Sequence, residues 1–162
     1  MTKVTVRQYE PRDEQQLRAV ARQNFIDQLQ EGSVAGAEDP AERAYLEHVI
    51  RIQEGGKGVI LVAEQGGELI GFVCLSGPVG NQAEGERQDA YAFMSDLFVV
   101  PEYRNRGTGS RLVREIEQHA HAMGAGHVAL RIAVGNDVSR RFYEKNRYRE
   151  KFVVLSKGIS EV

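Results

Sequence analysis

The sequence predicts an α/β fold built on a mixed sheet, and three observations carry that prediction. Two apolar runs, "VILVAE" and "ELIGFVCLS", are split by Gln65-Gly66-Gly67, a separator that suits an antiparallel hairpin. Further on, "DLFVVPEYRNRGTGSRLVREIEQH" takes an apolar strand through a glycine-bearing turn into a helical pattern. "HVALRIAV" then alternates again, so the second half reads as a strand–helix–strand crossover, which places two strands in parallel.

In chain order, "VTVRQY" alternates Val4 and Val6 with polar neighbours and reads as a short strand. Pro11 and Asp13 open a helix in which Leu17, Val20, Ala21, Phe25 and Leu29 recur at helical spacing. "EGSVAGAEDP" is a loop. Asp39, Pro40 and Glu42 mark a second helix start: a capping carboxylate, a proline in the first turn and a glutamate three residues on. Its apolar face is Tyr45, Leu46, Val49 and Ile50, and "EGGKG" stops it. After the hairpin, "GPVGNQAEGERQD" has turn composition throughout. "AYAFMSDLFVV" is a mostly apolar strand suited to the sheet centre. The next helix places Leu112, Val113, Ile116, Ala120 and Met123 on one face and stops at Gly124. "HVALRIAV" is a strand, "GNDVSRRFYEKN" a turn and short helix, and "KFVVLSK" a last strand. The order is β-α-α-β-β-β-α-β-α-β, with no repeat or linker to divide it.

Composition narrows the function. The chain has 162 residues and a formal charge of −2, so no global basic field argues for nucleic acid. Cys74 is the one cysteine, with no metal-ligand spacing around it. His119 and His121 lie two apart on a helix and cannot share a face, so no metal is expected. No run approaches the roughly 18 apolar residues of a membrane span, and the start has no apolar leader core. A cytoplasmic protein without membrane or nucleic-acid partners is the expectation.

The turn "RNRGTG" raises a sharper question. A helix start leaves backbone N–H groups unpaired and concentrates partial positive charge. Gly107 and Gly109 remove the Cβ atoms that would hold a ligand away, and Arg104 and Arg106 add full charge. Together they describe an anion site suited to a phosphate or pyrophosphate. The third glycine of a dinucleotide fingerprint is missing, since Leu112 stands there, and the Gly-Lys-Ser/Thr of a P-loop is absent. A plain strand-to-helix turn is the competing reading.

The whole pattern, from "DLFVVPEYRNRGTGS" through the apolar helix and strand to Asn136 and "RRFYEKNRY", resembles the GNAT superfamily of acetyl-CoA-dependent N-acetyltransferases. The family's signature, Arg/Gln-x-x-Gly-x-Gly/Ala, is matched by Arg104, Gly107 and Gly109. The likeness runs from residue 3 to 156 and is most specific between Asp96 and Tyr148. It implies a single N-acetyltransferase domain over residues 1–162. It also implies a mixed, mainly antiparallel sheet with a splayed parallel strand pair and flanking helices. The implied activity is direct transfer of an acetyl group from acetyl-CoA to a primary amine in a ternary complex. A non-catalytic acyl-CoA sensor or interaction module on the same fold is the alternative. Dimers are common among relatives, so a homodimer stays open.

By that resemblance, Phe98, Val99 and Val100 offer main-chain bonds to pantetheine, with the Val99 amide polarising the thioester carbonyl. Arg104, Asn105, Arg106, Gly107, Thr108, Gly109 and Ser110 surround the pyrophosphate. Asn136 either contacts pantetheine or caps a helix, and Ser139 and Arg140 meet the outer part of the cofactor. Tyr143 is placed to protonate the thiolate leaving group, a task that suits a hydroxyl with an ordinary pKa of about 10. Asp96, a carboxylate inside an apolar strand, is a candidate base, an ammonium binder or a structural group.

Two departures stand out. Polyamine-type relatives carry a glutamate–aspartate pair where this chain has Ser95 and Asp96. Arg147 occupies the usual glycine position after the last helix, leaving Asn146 as a candidate for the left-handed cap. The acceptor, a small-molecule or peptide amine, is expected between residues 31–54, which include Tyr45, and the loop 77–89. Their acids (Glu31, Glu38, Asp39, Glu42, Glu47, Glu84, Glu86 and Asp89) favour a cationic amine, or else form a solvated acidic surface.

Overall fold

A computed structural model of the protein describes residues 2–29, 39–79 and 90–160. The chain divides into two compact units, Met1–Arg131 and Ile132–Val162. The first contains β1 (Thr5–Gln8), α1 (Glu14–Gln28), α2 (Pro40–Arg51), β2 (Gly58–Gln65), β3 (Glu68–Val79), β4 (Tyr91–Val99), α3 (Thr108–Ala122) and β5 (His127–Ala129). The strands form one sheet in the order β1-β2-β3-β4-β5, antiparallel except for the β4–β5 pair. This is the mixed, mainly antiparallel sheet with flanking helices that the sequence predicts.

Local chemistry sets the elements where expected. The Asp39 side chain accepts from the Ala41 amide at 2.8 Å and caps α2, with Pro40 in the first turn. Gly66 and Gly67, with φ of 60° and 83°, form the two-residue turn between β2 and β3, where Gln65 pairs with Glu68. Leu17, Val20 and Ala21 of α1 and Val49 of α2 pack on Ile60, Val62, Phe72, Cys74 and Phe98. Burying each Leu, Ile, Val or Phe side chain of this cluster contributes about 1.5–3 kcal/mol. Alternation along β3 turns Gly71 to the other sheet face, where a Cβ would lie 3.4 Å from Leu112 Cδ1. There α3 buries Leu112, Val113, Ile116 and Ala120.

Strand β4 is irregular on both of its edges. Its ladder with β5 holds three pairs and ends at Phe93–Ala129, whereas β4 itself runs on to Val99. Against β3, Cys74 faces Asp96 and Leu75 faces Met94, so Ser95 is the extra residue of a bulge. Bulges re-aim neighbouring side chains, and this one immediately precedes Asp96.

The second unit carries α4 (Asp137–Lys145), capped by the Asn136 side chain, which accepts from the Ser139 amide at 3.1 Å. The helix ends with Tyr148 N–H bonded to Tyr143 O and Arg147 N–H to Glu144 O, each at 2.9 Å, the bond pair of a Schellman motif. The left-handed position falls on Arg147 (φ 68°), not on Asn146 (φ −87°), whose side chain instead donates to Phe142 O.

Two strand expectations need correction. Regular pairing in "HVALRIAV" stops at Ala129. "KFVVLSK" forms no strand: Phe152 to Leu155 are exposed and follow irregular backbone. An apolar run becomes a strand only beside a ladder partner, and none is present among the described residues of the second unit. Gly77–Val79, read as loop, extend β3 instead. Residues 80–89 of that loop, and 30–38 of the earlier one, lie outside the described residues, together with Glu31, Glu38, Glu84, Glu86 and Asp89.

Candidate active site

The glycine turn leads from β4 into the start of α3 through a left-handed glycine. Pro101–Tyr103 make one 3-10 turn after β4, and Gly107 then takes φ 84°, a left-handed conformation that lacks strain only in glycine. The first backbone bond of α3 runs from the Arg111 amide to Gly107 O at 3.0 Å. The amides of Thr108, Gly109 and Ser110 precede it, so they have no partner within the helix. Asn105 also has positive φ, 60°, which tightens the approach to the turn.

The arginines are arranged unequally. Arg104 folds back: its Nε donates to Val99 O at 2.7 Å, its Nη2 meets Asp27 Oδ2 at 2.9 Å, and its guanidinium lies 5.2 Å from the Phe98 ring centroid. Arg106 lies over Tyr103, 5.8 Å from that ring's centroid. Arg104 thus braces the end of β4 against α1, while Arg106 stays on the turn.

Backbone alternation sorts the β4 residues. Val100 N–H donates to Ile70 O at 2.8 Å and Val100 O accepts from Tyr103 N–H at 2.9 Å, so both Val100 groups are engaged. Neighbouring residues direct their amide groups to opposite edges, so Leu97 and Val99 face away from β3. That edge carries no β5 pairing beyond Phe93. The Val99 carbonyl is taken by Arg104; its amide points into the open edge.

Asp96 lies beneath this edge, 7% exposed. Its Oδ1 accepts from the Tyr45 hydroxyl at 2.9 Å and from Asn24 Nδ2 at 3.4 Å. Asn24 Nδ2 also donates to Tyr45 Oη at 2.8 Å, and Gln28 Nε2 donates to Asn24 Oδ1 at 3.0 Å. The Tyr45 ring stacks on Phe25 with centroids 5.6 Å apart. Burial, then the Asp96 charge, raise the Tyr45 phenol above its ordinary pKa, which keeps it a donor. Burial and Asp96 likewise push the Cys74 thiol well up, so this fully buried cysteine is no nucleophile.

Asn24 and Tyr45 are what sequence reasoning missed as partners of Asp96. The available signal was an asparagine seven residues after Leu17 and three after Ala21, on the buried stripe of α1, where a polar side chain needs a partner. Of the acids expected around the acceptor, three are described, and each has structural work. Asp39 caps α2, Glu42 meets Arg22 at 2.9 Å, and Glu47 meets Arg18 at 2.9 Å.

In the second unit, Asn136, Ser139, Arg140 and Tyr143 all belong to α4 and its cap. The Asn136 side-chain oxygen and the Ser139 amide satisfy each other, and Arg140 pairs with Glu150. Tyr143 packs edge-on between Phe142 and Tyr148, at centroid distances of 5.1 and 5.5 Å.

Comparison with known proteins identifies the family. The sequence model of the Acetyltransferase (GNAT) family matches residues 18–147, and the chain belongs to that family. It is 37% identical over 97 residues to the uncharacterised N-acetyltransferase YhfO of Bacillus subtilis (strain 168), covering 60% of this chain and 62% of that protein. It is 30% identical over 113 residues to the uncharacterised N-acetyltransferase MJ1207 of Methanocaldococcus jannaschii, covering 69% of this chain and 47% of that one. The matches therefore span less than two thirds of these relatives' length. Among solved structures, the aminoglycoside N-acetyltransferase AAC(6')-Iy in complex with CoA superposes with a TM-score of 0.76 at 17% identity, covering 98% of this chain and 97% of that one. At that identity the likeness is one of fold. No helix among the described residues is long and apolar enough to cross a membrane.

Proposed function

We propose that the protein is an acetyl-CoA-dependent N-acetyltransferase that acts on a primary amine by direct transfer in a ternary complex. One observation carries the reading: β4 outruns its ladder with β5 and leads, through a single turn, into the amides beyond Gly107. An unpaired strand edge suits the amide-bearing pantetheine arm, and the helix start suits the diphosphate. CoA is bound in a solved acetyltransferase of the same fold, which supports CoA as the ligand.

In this reading Thr108, Gly109 and Ser110 hold the diphosphate through their amides, with Arg106 beside them. Val99 N–H polarises the thioester carbonyl, a preorganised donor that needs no rearrangement during reaction. Asp96 takes up the proton of the approaching ammonium, directly or through water, so that a neutral amine attacks the thioester carbon. The C–S bond breaks, Tyr143 gives its proton to the departing thiolate, and the proton that the acylated nitrogen sheds restores the Tyr143 hydroxyl, directly or through water. The acetyl group ends on nitrogen and CoA leaves as the thiol.

Release of CoA thiol across a panel of primary amines tests the reading. Turnover above hydrolysis with at least one amine is expected, and Tyr143→Phe lowers kcat about 100- to 10,000-fold, the usual range for loss of a general acid. Binding of acetyl-CoA without thiol release from any amine would leave the acyl-CoA sensor as the better description. Failure to bind acetyl-CoA at all would remove both.

A further inference from the structure

The Asp96 carboxylate is buried without a counter-ion among the described residues. No Lys, Arg or His nitrogen lies within 4.0 Å of it among the described residues. Burial of an uncompensated carboxylate is costly, and a fold retains one where some partner balances the charge.

The donors around it all run one way. Gln28 donates to Asn24, Asn24 to Tyr45, and Tyr45 to Asp96. Each phenol or amide oxygen is occupied by the donor behind it, so the Tyr45 proton has one direction left, toward Oδ1. Both direct contacts fall on Oδ1; Oδ2 has no partner among the described residues. Oδ2 is not sealed either: among the described residues the one enclosed side-chain atom without a partner is Glu42 Oε2. Asp96 is therefore gripped by one oxygen and offers the other.

We infer that Asn24 and Tyr45 are positioning residues for acetyl transfer, fixing Asp96 through Oδ1 so that Oδ2 receives the ammonium of a cationic primary amine. The inference rests on the proposed acetyltransferase reading for its chemistry and on the three-element network for its geometry. Three elements meet there: Asn24 comes from α1, Tyr45 from α2, and Asp96 from the bulge of β4. Tyr45 keeps its place by stacking on Phe25, so the hydroxyl rather than the ring makes the contact that matters.

The test is a kinetic cycle with Tyr45→Phe, Asp96→Asn and the double variant, using an amine accepted by the parent. Tyr45→Phe retains the ring and removes only the donor. It should lower kcat/KM for the amine about 10- to 100-fold, the range set by a hydrogen bond to a charged group. The Kd for acetyl-CoA should stay within about twofold of the parent's, showing an intact fold. The double variant should be no worse than Asp96→Asn, since residues acting through one group are not additive. Independent multiplication of the two losses, or parent-like kinetics in Tyr45→Phe, overturns the inference. Asn24→Ala, which leaves Tyr45 in place, should give a smaller loss in the same parameter.

A second readout separates this inference from the enzyme reading. The Asp96 carboxyl carbon can be followed by NMR in protein labelled with carbon-13 at aspartate, and identified by its loss in Asp96→Asn. Ethylammonium should shift that resonance in the parent, and at least tenfold more should be needed in Tyr45→Phe. If the parent acetylates no amine but this response is present, the activity is wrong and the ammonium site stands. If ethylammonium leaves the parent resonance unmoved, the positioning role falls whatever the enzyme does.

Discussion

Two carboxylates are buried to nearly the same depth in the first unit and are held in opposite ways. Asp13 is 4% exposed, and Arg7 grips both its oxygens at 2.7 and 2.8 Å, with the Glu10 amide adding a third bond at 2.9 Å. Asp96 is 7% exposed and is held on one oxygen by neutral donors. Asp13 ties β1 to the start of α1 with its charge balanced on the spot. Asp96 has no cationic partner among the described residues. Burial alone does not mark a functional acid; the two differ in that Asp13 has a cationic partner and Asp96 has none among the described residues.

Exchanging each acid for its amide should separate the two most widely. Asp13→Asn breaks a paired, buried charge and should cost about 2–3 kcal/mol, because Glu64 still meets Arg7 and limits the loss. Asp96→Asn should change stability by less than about 1 kcal/mol, since Tyr45 can donate to the new carbonyl as well. Urea unfolding measures both. Arg7 above all holds the Asp13 carboxyl below the usual carboxylate range. A depressed folded pKa gives stability that is present above the unfolded value, about 3.9, and lost as pH falls through the folded value. The gap between parent and Asp13→Asn should therefore narrow as pH drops below about 4. A gap independent of pH, or an equal stability loss in Asp96→Asn, would break the comparison.

The glycine turn differs from the carboxylate network in being made of backbone, and its main substitution should cost less. A Cβ at Gly107 would meet nothing within 4 Å, so Gly107→Ala carries only the strain of φ 84°. That cost is about 1–2 kcal/mol by thermal or urea unfolding. Gly107→Asn should cost less, because asparagine tolerates the left-handed region. Equal loss in both variants would mean that space, not conformation, requires glycine there.

The same contrast explains what could be read from the sequence. The turn and helix start at Gly107 were legible because they are local consequences of six consecutive residues. The hairpin at Gly66-Gly67 and the cap at Asp39 were legible for the same reason. Asp96 was visible as a misfit in an apolar strand, but its partners are 72 and 51 positions away, a separation that no periodicity reveals. Arg104 was read as a phosphate neighbour from its place in the motif. Its turn toward Asp27 and Val99 depends on where α1 ends relative to β4, which is tertiary information. "KFVVLSK" was misread because an apolar run reports a capacity for pairing and says nothing of whether a partner strand is adjacent.

The two Schellman ends offer the finest comparison. In α3 the left-handed position is Gly124, φ 88°, with Gly124 N–H on His121 O and Ala125 N–H on Ala120 O. In α4 the same pair of bonds closes around Arg147, φ 68°. The hydrogen bonding is equal, so the residue at the turn makes the difference. Arginine carries the clash between Cβ and carbonyl that glycine lacks, about 1 kcal/mol, partly offset by the greater freedom of glycine in the unfolded chain. Arg147→Gly should slow exchange of the Tyr148 amide by up to about fivefold, the equivalent of 1 kcal/mol, if that amide exchanges through opening of this turn. Gly124→Arg should speed exchange at Ala125 by a similar factor. Faster exchange at Tyr148 in Arg147→Gly would show that the arginine side chain stabilises the turn by more than its backbone strain costs.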